Sequence, residues 1–432
     1  MQLDRRSALK GIGAAGATLF VTGVASANDG RARYIARTAE QADVESAGFD
    51  VLNVLAGGEV LLVTGPEDAV DDLEAVDGVT AAVRDLELEI EPVIEDEHDE
   101  VPDDPDDVYD ELLWDKQVQD VREAQAHATG EETTVAIIDT GVDETHPDLS
   151  NLDVDASAAI VDGEVAPHEG DPYGHGTHVA GTAAATGDEL MTGTAPDATL
   201  VSIDVLGYGT STFGDIMVGM EYAAAVGADA ANISLGFMVA PEDFSEFDTN
   251  VGVYRRLFEP VSNYGQREGT LYVGSAGNDE TDLQDGWLRL WNGLSGVIGV
   301  SATGPNEELT FYSNWGRNDV DVGAPGGGYE TLEKTLDPEA DVEWPYPLNL
   351  VFSTYSTQAE EDPAPYNWLA GTSMAAPQVT GLAALARELD EDANPQQVLE
   401  AIRKGAEVAD DRGDSYLGAG RVNALNTVER IE

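Results

Sequence analysis

The stretch VAIIDTGVDETHPDL, Val135 to Leu149, decides how this chain folds. Four consecutive apolar residues with no polar alternation are the pattern of a strand buried on both faces. Asp139 closes the run, so a carboxylate stands at the strand's carboxyl end. Further strand-like runs follow at Leu200 to Val205, Ala230 to Ser234, Thr270 to Ser275, Val297 to Ala302 and Val320 to Val322. Helical patterns lie between and after them, at Thr177 to Ala185, Phe213 to Val226, Val251 to Gln266, Ser373 to Glu388 and Pro395 to Lys404. The alternation predicts an α/β fold, a doubly wound, mainly parallel sheet with helices on both faces. In such sheets ligands meet the carboxyl ends of the strands.

Residues with chemistry collect at those ends. Asp139 alone reads as an acidic turn, and its Asp-Thr-Gly also occurs in pepsin-like aspartic peptidases. Those need a second such turn and a β-rich fold, and this chain has neither. In DPYGHGTHVAGTAAA, His175 and His178 open a small-residue helix. Their spacing of three does not fit an HEXXH zinc site, and His178 reads as structural. In TLYVGSAGNDE, Asn278 is either a turn residue or a neutral donor for a developing oxyanion. The small residues Gly274, Ala276 and Gly277 beside it let a substrate backbone approach. In GTSMAAPQVTGLAALA, Gly371 to Ala386, Ser373 taken alone is a helix N-cap. Pro377 weakens that reading, because it removes the amide that would bond back to the serine carbonyl.

The chain has 432 residues and a formal charge of −63. Such self-repulsion is screened within about 3 Å at 1 M salt, which points to an extreme halophile. It also argues against nucleic acid or an anionic membrane as partner. There is no cysteine, hence no disulfide, no thiol catalysis and no cysteine-ligated metal. Residues 1–27 read as an export leader: Arg5-Arg6, an apolar run from Gly11 to Val24, and Ala25-Ser26-Ala27 for cleavage. Asp4 to Lys10 resembles a twin-arginine signal, so secretion to the extracellular space is expected, with no membrane anchor left after cleavage. Residues 28–93 follow a βαββαβ order, the ferredoxin-like α+β unit. Residues 94–111 read as an acidic linker exposed to proteolysis. Gly327 to Leu350 breaks the alternation and reads as a surface excursion whose role the sequence does not fix.

From about Leu112 to Glu432 the chain resembles the subtilisin-like serine peptidases, the subtilases. The likeness lies in AIIDTGVDETHPDL, GHGTHVAGT, SLG at Ser234 to Gly236, SAGN at Ser275 to Asn278, and GTSMAAP. Acidity and leader make it look most like the halolysins of haloarchaea, without the C-terminal extension many of them carry. The resemblance implies that Ser373 is the nucleophile, His175 its base and later acid, and Asp139 the group that orients the imidazole. Asn278 and the Ser373 amide would form the oxyanion hole. An extended polypeptide substrate would lie between Ser234-Leu235-Gly236 and Gly207-Tyr208-Gly209-Thr210. Asp279 and Glu280 favour basic side chains at the pocket rim, whereas the small walls admit large apolar ones.

The likeness further implies a monomeric serine endopeptidase of broad specificity, made as an autoprocessed zymogen. Residues 28–93 would be its inhibitor-type propeptide, released by a cut between Pro92 and Asp107, and 112–432 the peptidase domain. Asp148 matches the family's first calcium-ligand aspartate, so a structural calcium is expected, and no cofactor for the chemistry. Two departures stand out: Gln378 replaces a common histidine after Pro377, and the loop ATGDELMTG is about one residue short. The rival readings are a catalytically silent binding or surface protein on the same fold, and a metallopeptidase using His175 and His178.

Overall fold

The strand β7 (Thr134–Asp139) turns Val135 and Ile137 toward one hydrophobic core and Ala136 and Ile138 toward another. Both faces of the unbroken apolar run are covered, as a parallel strand inside a sheet requires. Trimming Ile138 to alanine would cost about 3 kcal/mol of packing. The computed structural model describes residues 18–25, 31–38, 40–90, 101–102, 104–206, 210–239, 251–285, 288–289, 291–360, 363–407 and 415–431. The twin-arginine stretch, the cleavage residues Ser26 and Ala27, residues 94–100 of the linker and Gly207 to Gly209 lie outside them.

Among the described residues, eight strands make the main sheet, in the order β17-β16-β14-β12-β7-β10-β8-β9. They are β7, β8 (Ala158–Val161), β9 (Glu164–Pro167), β10 (Thr199–Asp204), β12 (Ala230–Ile233), β14 (Leu271–Ser275), β16 (Val297–Thr303) and β17 (Val322–Pro325). Every pair is parallel except β8 with β9. β10 lies on one side of β7 and β12 on the other, so the winding reverses at β7. A crevice opens at the carboxyl end of a strand where the order reverses, and Asp139 stands there.

Helices α6 (His175–Ala184) and α10 (Thr372–Leu389) pack on one face, with α7 (Phe213–Ala225) and α8 (Val251–Glu268) on the other. α6 is buried along its whole length, which its run of glycine, alanine and threonine permits. A Cβ on Gly176 would sit 2.1 Å from the Gly141 carbonyl oxygen, so only glycine lets the histidine helix press against the turn after β7. α9 (Leu332–Leu336) belongs to the 327–350 excursion, which starts beside the serine helix: Gly371 N donates to Gly326 O at 2.8 Å. A ladder of β18 (Val351–Thr354) and β19 (Tyr366–Leu369) follows, then α11 (Pro395–Gly405) and α12 (Ala424–Ile431).

The small unit has β2 (Ala32–Arg37), α1 (Gln41–Ser46), β3 (Asp50–Leu55), β4 (Val60–Gly65), α2 (Val70–Glu74) and β5 (Ala81–Arg84). Its sheet order β3-β4-β2-β5, antiparallel throughout, is the ferredoxin-like arrangement. Tyr34, Ala36, Leu61 and Val63 face its own helices. Ile35, Leu62 and Val83 join the core built around α7 and α8, so the open face of the small sheet rests on the large unit.

Two expectations need correction. The linker assigned to 94–111 ends early, because α3 (Pro105–Leu112) is a helix packed on the main core through Val108 and Leu112. Asp104 caps it by accepting from Asp106 N at 3.0 Å, and Pro105 takes the first position, where no N–H is needed. The short helices α4 (Trp114–Gln117) and α5 (Val121–Ala124) then lead into β7. Part of the leader is also paired. β1 (Thr18–Val24) runs antiparallel to β6 (Leu86–Ile90) and parallel to β13 (Gly236–Val239). With β11 (Thr210–Thr212) and β15 (Leu288–Arg289) they form a second sheet, ordered β11-β6-β1-β13-β15.

Candidate active site

β14, β12 and β7 are neighbours, and their carboxyl ends carry Asn278, Ser234 and Asp139 side by side. Asp139 is fully buried. Its Oδ1 lies 2.6 Å from His175 Nδ1 and accepts from Thr140 N at 2.8 Å. His175 is the first residue of α6, and Asp171 holds that helix start. The Asp171 carboxylate accepts from Tyr173 N, Gly174 N, Thr177 N, Thr177 Oγ1 and Thr140 Oγ1 at 2.6 to 3.0 Å. Burial pushes its carboxyl up to about 6, against the donors of Thr177, Gly174 and Tyr173. Sequence reasoning missed Asp171; the available signal was an aspartate just ahead of a glycine-led helix.

Ser373 is the second residue of α10, and Gly371 occupies the cap position, so the N-cap reading of the serine fails. Its Oγ donates to Ser234 O at 3.0 Å, and Ser234 Oγ donates to Ser373 O at 2.7 Å. The second bond fills the carbonyl that Pro377 cannot serve. Asn232 Nδ2 in turn donates to Ser234 Oγ at 2.9 Å. The polar residues of β12 and its end therefore anchor the serine helix.

Asn278 Oδ1 accepts from Thr372 N at 2.9 Å and from Thr372 Oγ1 at 3.0 Å. A backbone N–H can only donate, so the amide orientation is determined. Nδ2 is then a buried donor with no hydrogen-bond partner among the described residues, on a side chain bound to Thr372, the residue before Ser373. Gly277, at φ 95°, makes the turn that turns Asn278 inward, and Asn314 braces it by donating to Ala276 O at 3.0 Å.

The remaining expected residues divide. Ser234 and Leu235 are buried, and Gly236 opens β13. β6 and β1 of the chain itself lie between β13 and β11, where the substrate strand was expected. Gly209 lies outside the described residues. Ala276 and Gly277 stand at the site. Gly274 does not offer an open wall: a Cβ there would meet Trp291 at 2.9 Å, and Trp291 Nε1 donates to Leu235 O at 2.9 Å. His178 is structural as expected, its Nε2 facing the carbonyls of Val351 at 3.1 Å and Asn367 at 3.2 Å. Burial, with His175 adding to it, pushes its pKa down to about 3. Gln378 lies away from Asp139 and His175, binding Asp115 Oδ2 at 2.6 Å and Lys116 Nζ at 2.5 Å.

Asp148 does not fit the calcium expected of it. Its two carboxylate oxygens accept from Glu189 N at 2.6 Å, Leu190 N at 3.1 Å, Met191 N at 2.9 Å and Tyr366 Oη at 2.8 Å. Calcium needs oxygen lone pairs, and here donor hydrogens already face both oxygens. The shortened loop closes directly on the carboxylate.

The model of the Subtilase family matches residues 130–420. The chain belongs to the subtilase family. This subtilase is 32% identical over 305 residues to Thermitase of Thermoactinomyces vulgaris, covering 70% of the chain and 90% of that protein. To Subtilisin Savinase of Lederbergia lenta it is 31% identical over 299 residues, covering 68% and 90%. Among solved structures, it superposes on the epidermin leader peptide processing serine protease of Staphylococcus aureus with a TM-score of 0.73. The identity is 20%, with 93% of this chain and 98% of that one covered. Fervidolysin of Fervidobacterium pennivorans gives 0.68 at 22% identity, over 95% and 64%. At these identities the structures support the subtilisin-like fold alone.

Proposed function

We propose that the protein is a serine endopeptidase that cuts polypeptides through Asp139, His175 and Ser373, made as a zymogen whose small unit covers the cleft. The observation that carries this reading is the 2.6 Å contact of His175 Nδ1 with Asp139 Oδ1, on the rim where Ser373 stands. With Nδ1–H given to the carboxylate, Nε2 is the basic nitrogen. For the reaction Ser373 Oγ must leave Ser234 O, to which it donates at 3.0 Å, and turn to this nitrogen. Oγ attacks the scissile carbonyl carbon while Nε2 takes its proton, and Asp139 stabilises the imidazolium. The negative oxygen draws on Asn278 Nδ2 and the Ser373 N–H. The imidazolium then protonates the leaving amine, and water resolves the acyl-enzyme by the reverse sequence.

Strands β6 and β1 occupy the place of an extended substrate between β11 and β13. Cleavage behind Ala27 would take β1 away, and a cut in the connector would free β6. Because α3 begins at Pro105, the cut falls between Pro92 and Asp104. Backbone pairing along β13 grips a polypeptide with little sequence demand, hence broad specificity. The charge of −63 suits secretion into molar salt, and the paired arginines suit twin-arginine export of a folded, monomeric chain. The test is casein hydrolysis in molar salt by the full chain. The wild type shortens itself within 92–104 and degrades casein, whereas Ser373→Ala stays whole and inert. Equal hydrolysis by both would overturn the proposal.

A further inference from the structure

Arg33 is only 1% exposed, although it is an arginine at the junction of the two units. Its Nη2 donates to Thr212 Oγ1 at 3.1 Å and to Asp215 Oδ1 at 3.0 Å, and lies 3.1 Å from Asp85 Oδ2. Nη1 is 3.5 Å from Asp162 Oδ1. Asp162, Thr212 and Asp215 belong to the large unit, around the N-terminus of α7. Gly163 N braces Asp215 Oδ1 at 2.6 Å, and Gly214 N donates to Asp85 Oδ1 at 2.9 Å. A cavity of about 250 Å³ at this junction is lined by Arg33 together with Asp162, Asp204, Thr212 and Asp215.

We propose that Asp162, Thr212 and Asp215 form a guanidinium-recognition site on the large unit, and that Arg33 seated in it keeps the small unit docked after the connector is cut. The biological sense of this rests on the propeptide reading above. Apolar contact through Ile35, Leu62 and Val83 supplies area but no register; a buried guanidinium whose Nη2 bonds Thr212 and Asp215, with Nη1 near Asp162, supplies register. Exposed ion pairs fade in molar salt, where screening acts within about 3 Å, but a desolvated pair is screened far less. In a chain with 84 acidic and 21 basic residues, a buried arginine on one unit facing aspartates of the other is a selective complement.

The absence of cysteine makes a direct test available. In the full Ser373→Ala chain, Leu52→Cys carries a dye, and a site for a sequence-specific protease is inserted between Glu95 and Asp96. After cutting and return to molar salt, fluorescence anisotropy on dilution gives the Kd of the small unit. Arg33→Gln should weaken binding about 30-fold or more, and Arg33→Lys less. Asp162→Asn with Asp215→Asn should weaken it as strongly, with the small unit unaltered. The proposal is overturned if Arg33→Gln binds like the parent. It is equally overturned if Arg33→Gln weakens binding while the paired asparagines do not, since Arg33 then only supports its own unit's fold. Because the cut is external, failure of the peptidase reading shows separately, as a wild-type chain that never shortens itself.

Discussion

Ser234 and Ser373 hold each other through two hydrogen bonds, Ser373 Oγ to Ser234 O at 3.0 Å and Ser234 Oγ to Ser373 O at 2.7 Å. Pro377 creates the need for the second, because a proline at that place leaves the Ser373 carbonyl without its helical donor. The strand end thereby sets the position of the helix head, and with it the serine.

Ser234→Ala leaves the Ser373 carbonyl and the Asn232 amide unpaired in a buried site, so a loss of about 2 kcal/mol is expected. Pro377→Ala returns an N–H to that carbonyl. In a urea-unfolding double-mutant cycle, the pair should cost less than the sum of the single changes. Strict additivity would mean that the two residues do not share the carbonyl.

Asn278→Ala removes the buried Nδ2 and also releases Thr372. Turnover of a peptide substrate should fall by about 10²- to 10³-fold with KM little changed, a magnitude taken over from subtilisin's oxyanion asparagine. A change confined to KM would place Asn278 in substrate binding instead.

Asp148 is an anchor satisfied by protein donors, so a chelator should not shift the Tm through this site. Asp148→Ala should cost about 3 kcal/mol by stranding the amides of 189–191 and Tyr366 Oη. A calcium-dependent rise in Tm that vanishes in Asp148→Asn would contradict the hydrogen-bond assignment.

Docking of the small unit carries a pH dependence. Burial pushes the Asp85 carboxyl up from its ordinary 3.8 to about 6, with Asp215 adding to the push and Arg33 opposing it. Gly214 N and the Thr212 side chain also bond it and hold it down; Tyr254, whose hydroxyl donates to Arg84 O at 3.1 Å, lies close, and Asp162 pairs with Arg33 at the same junction. The docked state holds a proton that the free unit gives up above 3.8. The Asp85 contribution to docking is therefore fully present below about pH 4, is lost as pH rises and levels off above about 6, by on the order of 3 kcal/mol. Between about pH 4 and 6 the change in Kd should differ between parent and Asp85→Asn, the parent losing affinity relative to the variant as pH rises; identical profiles would contradict the role of Asp85.

The sheet was legible because its strands are apolar on both faces, and β7, β12 and β14 fall within a residue of their expected bounds. Asp139, His175, Asn278 and Ser373 were legible because each follows a strand or opens a helix in a small-residue setting. Helix α3 was hidden by composition: Val108 and Leu112, which bury it, stand among carboxylates. Arg33 with Asp215, Trp291 over Gly274 and the donors on Asp148 join residues far apart in the chain. No local pattern announces such contacts. Ser234 was named for its backbone; its hydroxyl matters because of a proline 143 residues later.

A fluorophosphonate probe tests the central claim most directly. Presented in molar salt to chains all cut externally between Glu95 and Asp96 and freed of the small unit, it should leave one adduct, mapped by peptide mass to Ser373, that is lost in Ser373→Ala and strongly slowed in His175→Ala. An adduct on another residue, or equal labelling of Ser373→Ala, would contradict the assignment of Ser373 as nucleophile.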